Sequence, residues 1–413
     1  MENNKTPSIR FKGFTDPWEQ RKLLSCIEKI TDFRGRTPKK LGMDWSESGY
    51  LALSALNVKD GYIDFSQDVH YGEQALYDKW MSGNELHKGQ VLFTTEAPMG
   101  NVAQVPDNKR YILSQRTIAF DVKEDIITEN FLATLLRSPA VFNTLTSLSS
   151  GGTAKGVIQK SLAGVDIQIP VELREQELLA TYFANLDNLI TLHQRKYNKL
   201  LNVKKSMLEK MFPKNGSNIP EIRFKGFTDP WEQRKLGDIV GIYDGVHQTP
   251  NYQNSGVMFL SVENIATLKS SKFISEEDFK RNYKIFPQEN DILMTRIGDV
   301  GTTNVVTDNS LKAYYVSLAL LKYKSTDPYF LSNAIQSDYV QKGLANRTLK
   351  TAIPMKINKD EIGKVSVMLP LSATEQQQIG TYFRNLDNLI TLHQRELEKL
   401  QNIKKSMLEK MFV

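Results

Sequence analysis

TYFANLDNLITLHQRKYNKLLNVKKSMLEKMF, residues 181–212, decides the fold because the chain contains it twice. It returns at residues 381–412 with 26 of its 32 positions identical. A second stretch, IRFKGFTDPWEQRKL at residues 9–23, returns unchanged at residues 222–236. We call residues 9–23 and 222–236 the heads and residues 181–212 and 381–412 the tails. The two variable blocks between head and tail, residues 24–180 and 237–380, share only short similar stretches. The chain is therefore head, variable block and tail, twice over. Near-identity beside divergence requires either selection on the repeats or exchange of the blocks as cassettes.

The tail repeat predicts one long helix. Its apolar residues recur in steps of three and four, as on one face of a helix. A coiled-coil alternation runs through Leu186, Ile190, His193, Tyr197, Leu200, Lys204, Met207 and Met211. Neither Gly nor Pro interrupts residues 175–212, and Pro213 ends the pattern. We expect a helix of about 38 residues, about 57 Å long, and a second copy near residues 374–412.

Each long helix must bury its apolar stripe, and the obvious partner is the other copy in the same chain. Antiparallel pairing needs only a short connection, and the linker at residues 213–221 is short. Parallel pairing would need a long connecting segment that runs back along the whole first helix. We therefore expect antiparallel helices, with the two variable blocks at opposite ends and related by a pseudo-two-fold axis.

The variable blocks predict mixed α/β domains. Short β-rich runs, such as QVLFT at residues 90–94 and DILMT at 291–295, stand between glycine-rich turns. Faint echoes, such as LSALN at 53–57 and LSVEN at 260–264, indicate one scaffold with different surfaces. The expected fold is α+β: two pseudo-symmetric mixed α/β domains separated by two long antiparallel helices that form a coiled coil. We expect the domains at residues 1–170 and 214–370 and the helices at 171–213 and 371–413.

The net charge of +6 and the pI of about 9.0 permit a nucleic-acid partner. The excess charge lies outside the variable blocks, since residues 24–160 have a net charge of −1 and residues 237–360 of +1. A few cations placed on one face would therefore have to bind the nucleic acid. The single cysteine, Cys26, excludes an internal disulfide framework and is expected to be a buried thiol in a reducing compartment. Residues 1–14 lack the apolar core of a signal peptide, and no run approaches the roughly 18 apolar residues of a membrane span, which predicts a cytoplasmic protein.

No motif predicts catalysis. The nearest match to a base-methyltransferase element is Asp16-Pro17-Trp18, which lacks a second proline and a glycine-rich loop beside it. A loose nuclease-like set, Asp107 with Asp121 and Lys123, has no second carboxylate at the corresponding place in the second block. Zinc-ligand spacing and a phosphate-binding loop are both missing from the sequence. We expect a chain that is not an enzyme and holds no metal.

Direct recognition of DNA bases needs side chains with fixed donors and acceptors, together with cations for the phosphates. The first block offers such clusters in predicted loops and strand ends: Arg34, Arg36, Lys39, Lys40, Thr94, Glu96, Gln115, Arg116 and Lys155. Their counterparts in the second block are His247, Gln248, Arg296, Asp299, Arg347, Lys350 and Lys356. The clusters, and not any single residue, carry this prediction.

The tails also repeat polar residues that a buried stripe does not explain. The candidate partner-binding residues are Asp187, Asn188, Gln194 and Arg195, which recur as Asp387, Asn388, Gln394 and Arg395. A recent duplication would explain the identity without any function. The alternative is that both copies bind the same partner, so that the chain presents two equivalent docking faces.

The whole organisation resembles the specificity subunits of type I restriction-modification systems. The resemblance covers essentially the full chain. It is carried by the repeated head, a Thr-Pro turn at residues 37–38 and 249–250, a Glu-Gln pair at 175–176 and 375–376, and the YFxNLDNLITLHQR helix. It implies that each variable block is a target recognition domain for half of a split DNA site and that the chain has no catalytic site. It also implies two docked methyltransferase subunits that carry AdoMet, and restriction subunits that use ATP and Mg²⁺.

One alternative belongs to another class of protein. The chain could be an assembly adaptor whose helices organise a complex and whose variable blocks bind other proteins. Salt-dependent, sequence-selective binding to duplex DNA in the presence of a methyltransferase partner would separate the two hypotheses, because an adaptor should show neither property.

Overall fold

A computed structural model describes residues 6–149, 156–157, 159–214 and 216–413. Contacts between residues divide the chain into two units, Met1–His193 with Glu396–Val413, and Gln194–Arg395. We call these the first unit and the second unit. Each combines one variable block with parts of both long helices.

The first unit begins with the strands β1 (Glu19–Lys22), β2 (Ile27–Asp32), β3 (Tyr50–Leu53) and β4 (Tyr71–Gly72). There follow α1 (Gln74–Met81), β5 (Val91–Thr94), β6 (Val102–Gln104), β7 (Ile112–Leu113) and β8 (Thr117–Val122). After these come α2 (Glu129–Leu136), α3 (Pro139–Leu148), α4 (Gln159–Leu162), β9 (Asp166–Ile169) and the long helix α5 (Leu173–Lys210).

The second unit repeats this order with β10 (Glu232–Lys235), α6 (Leu236–Ile239), β11 (Gly241–Asp244), β12 (Val257–Leu260) and β13 (Phe273–Ile274). There follow α7 (Glu276–Asn282), β14 (Ile292–Thr295), β15 (Thr303–Val305), β16 (Lys312–Tyr314) and β17 (Leu318–Lys322). The last elements are α8 (Pro328–Gln336), α9 (Asp338–Arg347), α10 (Lys359–Gly363), β18 (Ser366–Leu369) and the long helix α11 (Ala373–Lys410).

Both units have the same sheet topology. The first contains a four-stranded sheet in the order β2-β8-β5-β6, a three-stranded sheet β4-β3-β7 and a two-stranded sheet β1-β9. The second contains β11-β17-β14-β15, β13-β12-β16 and β10-β18. All neighbours are antiparallel except β3 with β7 and β12 with β16. The prediction of one scaffold under two diverged sequences is therefore confirmed.

The four-stranded sheet is buried on both faces, which explains its apolar strands. In β5, Val91 and Phe93 face a core that includes α2 and α5, whereas Leu92 faces the core around the three-stranded sheet. In β14, Ile292 likewise faces the core that includes α8 and α11, whereas Leu293 faces the core around the three-stranded sheet of the second unit. Successive side chains of a strand point to opposite faces, so a strand covered on both sides loses the polar alternation.

The two long helices have the predicted length. Each spans 38 residues; α5 begins two residues and α11 one residue before the predicted start. Within the first unit, Phe183 of α5 meets Phe412 after α11, and Asp187 meets Lys404 with an N–O distance of 2.6 Å. Later residues of α5 thus meet earlier residues of α11, so the segments are antiparallel, as predicted.

The second unit shows the same arrangement of helix segments. Phe212 packs on Phe383 with ring centroids 5.8 Å apart, and Lys204 pairs with Asp387 at 2.6 Å. Most of the side chains in the coiled-coil alternation from Leu186 to Met211 are buried or half-buried. The coiled-coil alternation therefore identified the packing face correctly.

An aromatic residue after each long helix closes a core. Phe412 packs against Trp18, Phe131 and Phe183 in the first unit, with centroid distances of 5.7–6.1 Å. In the second unit Phe212 has the equivalent place, against Trp231, Phe330 and Phe383. The core of the first unit is thus completed by residues from the other end of the chain.

Glycine at one position of α11 allows a close helix contact. A Cβ atom on Gly380 would come to 2.9 Å from the Phe330 amide nitrogen, at the start of α8. Helix interiors disfavour glycine by about 1 kcal/mol relative to alanine. The residue is explained by this approach of α11 to the beginning of α8.

Cys26 is buried, as predicted, and burial raises the pKa of its thiol. Across the described residues, the helices include none with the length and apolar character needed to cross a membrane.

Candidate functional site

In each unit, the ends of three neighbouring strands lie side by side at one end of the four-stranded sheet. β2 and β5 both run antiparallel to β8, so the ends of β2 and β5 lie beside the start of β8. β11, β14 and β17 have the same relationship in the second unit. We call these strand ends, together with the loops that continue from them, the strand-end surfaces. They hold most of the residues that the sequence suggested for DNA binding.

Two arginines follow β2 in the first unit. Arg34 pairs with Asp32 at 2.6 Å, and the hydrogen bond to this carboxylate raises the pKa of Arg34. The guanidinium of Arg36 lies 4.2 Å from the ring centroid of Phe33 and donates to the backbone carbonyl of Trp80. Both cations are held in place by neighbours, with Arg34 exposed and Arg36 half-buried.

Two lysines continue the same loop. Lys39 and Lys40 are exposed on a short helical turn, and the Lys40 ammonium donates to the Gly35 carbonyl at 2.7 Å. Lys155, also predicted for this unit, lies outside the described residues.

The other predicted residues of the first unit divide into exposed and buried groups. Glu96, after β5, pairs with Arg116, before β8, at 3.3 Å, and about half of each side chain is exposed. Gln115 is exposed beside them. Thr94 is fully buried, and its hydroxyl accepts a hydrogen bond from the Asn101 amide at 2.9 Å. Thr94 therefore shapes the β5–β6 hairpin, while the other three form part of the surface.

A cleft of about 400 Å³ opens at this surface, next to the Thr-Pro turn. Its polar lining includes Lys39, Asp68, His70, Gln115 and Arg116. Trp45 stacks on the His70 ring with centroids 5.5 Å apart, and the His70 Nε2 atom lies 3.1 Å from Asp68. The cleft thus combines hydrogen-bonding groups of fixed orientation with cations and a flat aromatic surface.

The second unit has a cleft of about 470 Å³ beside its own Thr-Pro turn. His247 and Gln248, both predicted, line it together with Asn251, Arg281 and Asn282. Both clefts adjoin a Thr-Pro turn, but the rest of the lining comes from different elements: residues 54–56 and 114–116 in the first cleft, and α7 in the second. The same scaffold therefore presents two different sets of donors and acceptors.

Arg296 and Asp299 lie at the end of β14. Arg296 is only 5% exposed; it forms an ion pair with Asp244, and its Nε donates to the Ile357 carbonyl at 3.0 Å. Asp299 accepts a hydrogen bond from the Thr302 hydroxyl at 2.6 Å in the hairpin turn. In this structure Arg296 does not reach the surface, and its charge holds the backbone of a neighbouring segment.

The last three predicted residues of the second unit flank a loop at residues 348–356. Arg347 pairs with Glu361 at 3.0 Å. Lys350 and Lys356 are exposed on the loop itself. Backbone pairing of Lys356 with Ile297 brings the loop to the strand-end surface.

Sequence reasoning missed several residues of the clefts. Trp45, Asp68 and His70 in the first unit and Arg281 in the second lie in segments without a recognisable motif. Their sequence signal was weak, because single aromatic or charged residues in loops are common. Only the tertiary fold brings them beside the predicted residues.

The predicted partner-binding residues occupy different positions on the helices. Asn188, Arg195, Asn388, Gln394 and Arg395 are exposed. Gln194 is half-buried and donates to Asn198 at 3.0 Å. Asp187 forms ion pairs with Lys404 and Arg137, and Asp387 forms one with Lys204. The two aspartates therefore help to hold the helix segments together within each unit.

Exposed leucines lie beside these polar residues and were not singled out from the sequence. In the first unit Leu189 and Leu192 expose 44% and 46% of their surface. In the second unit Leu389 and Leu392 expose 46% and 52%. Each pair is three residues apart on its helix, so both members lie on one face. Each unit therefore repeats the same exposed apolar patch.

The comparisons with known proteins bear on this architecture. The family model described as "Type I restriction modification DNA specificity domain" matches residues 16–202 and 228–402. The chain belongs to this family. The specificity subunit of the type I restriction enzyme MjaVIII from Methanocaldococcus jannaschii is 23% identical over 408 residues, covering 95% of this chain and 91% of that protein. The type I restriction-modification S subunit from M. genitalium has the same fold, with a TM-score of 0.69 at 15% identity over 99% of both chains.

As a type I specificity subunit, the chain is a DNA-recognition component and not an enzyme. The side chains of the nuclease-like set have other roles, since Asp107 accepts a hydrogen bond from the Tyr111 hydroxyl at 2.9 Å and Asp121 from Gln90. Within the described ranges, His, Cys, Asp and Glu form no group of three or more that could hold a metal ion.

Proposed function

We propose that this specificity subunit recognises a split DNA site, with each strand-end surface binding one half-site. The observation that carries the proposal is that each unit has a cleft beside its Thr-Pro turn and that the two clefts have different linings. Gln115 and Arg116 line the first, whereas His247 and Gln248 line the second. Glutamine and arginine side chains suit adenine and guanine edges in the major groove. Two different sets of such groups on one scaffold fit two different half-sites.

Cations near the clefts support binding to the DNA backbone. Lys39 and Lys40 lie beside the first cleft, and Lys350 and Lys356 lie on a loop at the strand-end surface of the second unit. Phosphate contacts position a protein on the duplex, while contacts with base edges select the sequence. The even charge balance of the variable blocks is compatible with this, because only the local placement of cations matters.

We further propose that the helices dock two methyltransferase subunits and, through them, restriction subunits. Support comes from the repeated patches, in which Leu189 and Leu192 in one unit match Leu389 and Leu392 in the other. Identical patches suit identical partners. AdoMet, ATP and Mg²⁺ would then bind to the partner subunits and not to this chain. The complex would act in the cytoplasm, where its DNA is.

The helices would also set the gap between the half-sites. A helix of 38 residues is about 57 Å long, which exceeds the roughly 34–36 Å of one DNA turn. Inserting four residues after Gln194 and four after Gln394 adds roughly 6 Å to each helix. We expect the tolerated gap to widen by about one or two base pairs. An unchanged gap in a methylation assay would refute this role.

Sequencing of methylated sites in cells that express the chain with its partner tests DNA recognition directly. The result expected is one split motif. Exchange of residues 24–160 for those of another specificity subunit should change one half of the motif and leave the other half unaltered. A motif that changes in both halves, or in neither, would contradict the assignment of one half-site to each unit.

The adaptor hypothesis is tested by the same complex. Binding to duplex DNA through several phosphate contacts weakens steeply as salt rises. If the purified complex bound all sequences equally, or bound DNA without dependence on salt, the adaptor would be preferred.

A further inference from the structure

The loop at residues 348–356 in the second unit presents apolar side chains to solvent. Ile353 is fully exposed, the highest value among the large apolar side chains of the described residues. Met355 and Leu349 expose 48% and 45% of their surface. A single exposed apolar residue is ordinary, but several on one short loop indicate a contact surface.

The loop is closed at its base by backbone hydrogen bonds. The Leu349 amide donates to the Lys356 carbonyl at 2.8 Å, which ties the two ends of the loop together. The Gly298 amide donates to the Met355 carbonyl at 2.8 Å. Since Gly298 belongs to the turn after β14, the loop is fixed against the strand-end surface with Ile353 at its tip.

A buried ion pair strengthens this attachment. The Ile357 amide donates to the Arg296 carbonyl, and the Arg296 side chain donates to the Ile357 carbonyl, both at 3.0 Å. Asp244, at the end of β11, holds the same guanidinium. Arg296 is therefore a positioning residue that joins two strand ends to the segment after the loop.

The charge of this segment favours a polyanionic partner. Residues 347–359 contain four cations, Arg347, Lys350, Lys356 and Lys359, and no acidic residue. Among the described residues, the three lysines form no ion pair, so their charges are available. An apolar tip between free cations matches a base stack between phosphates.

We propose that Ile353 and Met355 form an apolar wedge that inserts between base pairs of the second half-site, while Lys350 and Lys356 bind the adjacent phosphates. Aliphatic side chains that enter a base step unstack it and bend the duplex. Ile and Met suit this role because they have no polar group to desolvate. The inference rests on the proposed function, since it takes the strand-end surface as the DNA-binding surface.

The corresponding segment of the first unit differs in sequence. In the first unit, Gly156 pairs with Glu96 where Lys356 pairs with Ile297 in the second. The preceding residues there, SSGGTAK at 149–155, include no large apolar side chain in the sequence. DNA distortion by this loop is therefore expected at one half-site only.

The test uses the complex of the full chain with its methyltransferase partner, and duplexes that carry its recognition site. 2-Aminopurine replaces single adenines other than the methylated one, because its fluorescence rises on unstacking. The parent complex should raise the emission at one step in the second half-site and at none in the first. Ile353→Ser should abolish the rise and weaken binding roughly tenfold, the order of one lost base-pair contact.

Two matched variants separate the wedge from its surroundings. Leu311→Ala removes another exposed apolar side chain of the same unit, 44% exposed, and should leave both affinity and emission unchanged. Lys350→Ala should reduce the salt dependence of binding by about one phosphate contact while the emission still rises. Because Ile353 is fully exposed, its replacement removes no core contact, and circular dichroism should match the parent.

The outcomes are distinct. A rise that survives Ile353→Ser, or no rise in a parent complex that binds its site, overturns the wedge and leaves the proposed function standing. Loss of the methyltransferase subunit from Ile353→Ser would also overturn it and assign the loop to a protein partner. A parent complex without sequence-selective binding would refute the proposed function itself.

Discussion

Arg10 and Glu175 form a buried bidentate ion pair, with N–O distances of 2.6 and 2.8 Å and only 11% and 1% of the side chains exposed. Arg223 and Glu375 repeat it in the second unit with the same distances and exposures. The hydrogen bond with Glu175 raises the pKa of Arg10. Each head repeat is thereby fixed to the start of a long helix, which explains why head and tail are repeated together.

Arg10→Ala should destabilise the first unit by about 3–5 kcal/mol, because it leaves the Glu175 carboxylate buried without a counter-charge. The measurement is urea-induced unfolding followed by circular dichroism. Arg21→Ala is the control, since Arg21 pairs with Glu19 at the surface and 37% of its side chain is exposed. A surface pair contributes at most about 1 kcal/mol. Equal losses in the two variants would contradict the structural role of Arg10.

Phe412→Ala should cost the first unit about 3–5 kcal/mol, the usual loss for removing a buried phenylalanine. Phe212→Ala should cost the second unit a similar amount, because the two rings occupy equivalent cores. Hydrogen exchange resolved by peptide identifies the unit that loses protection. Val413→Ala, at a half-exposed neighbour, should change neither. Loss of protection in the unit that does not contain the replaced ring would show that the division into units is wrong.

Asp308 and Lys312 give the second unit a pH dependence at acid pH. Hydrogen bonds from Lys312 first, and then from Ser310, lower the pKa of Asp308 from its ordinary 3.8 to about 2. A carboxylate with a lowered pKa stabilises the folded state above its unfolded pKa, and this contribution is lost as pH falls through the folded pKa. The Lys312 side chain is 4% exposed, so its ammonium depends on this partner.

Asp308→Asn should therefore lower the urea midpoint of the second unit at pH 7. The difference from the parent should stay constant down to about pH 5 and shrink as pH falls from about 4 towards 2. Asp338→Asn is the matched control, because Asp338 pairs with Lys342 where both side chains are more than 60% exposed. A difference that grows on acidification would have the wrong sign and would refute the assignment.

Replacing Leu189 and Leu192 by serine should halve the number of methyltransferase subunits bound per chain, from two to one. The same replacement of Leu389 and Leu392 should have the same effect, and all four together should abolish binding. All four side chains are at least 44% exposed, so the thermal unfolding temperature should hardly change. Native mass spectrometry counts the subunits. Two subunits retained on the Leu189/Leu192 variant would place the docking surface elsewhere.

The periodic parts of the fold could be predicted because their signals are local. The strands expected at residues 90–94 and 291–295 are β5 and β14, and the long helices were placed to within about two residues. Steps of three and four depend only on the helix itself, and so does termination before Pro213.

The site was predictable only in part, because its geometry depends on distant residues. Arg36 and Gln115 were assigned to predicted loops or strand ends, and the structure places both in loops at the strand-end surface of the first unit. Arg296 was expected at the surface, yet it is buried, because Asp244 and the Ile357 carbonyl, 52 and 61 residues away, bind its guanidinium. The stacking of Trp45 on His70 could not be predicted from the sequence either, because neither residue belongs to a periodic pattern.

The place of Phe412 in the core of the first unit has a consequence for synthesis on the ribosome. The second unit is continuous, from Gln194 to Arg395, whereas the first needs Glu396–Val413 to complete it. Every residue of the second unit is therefore translated before the segment that closes the first. Domains usually fold from the N-terminus onward as they emerge. Here the order is reversed, and a chain interrupted before residue 396 would contain one finished recognition unit and one with an open core.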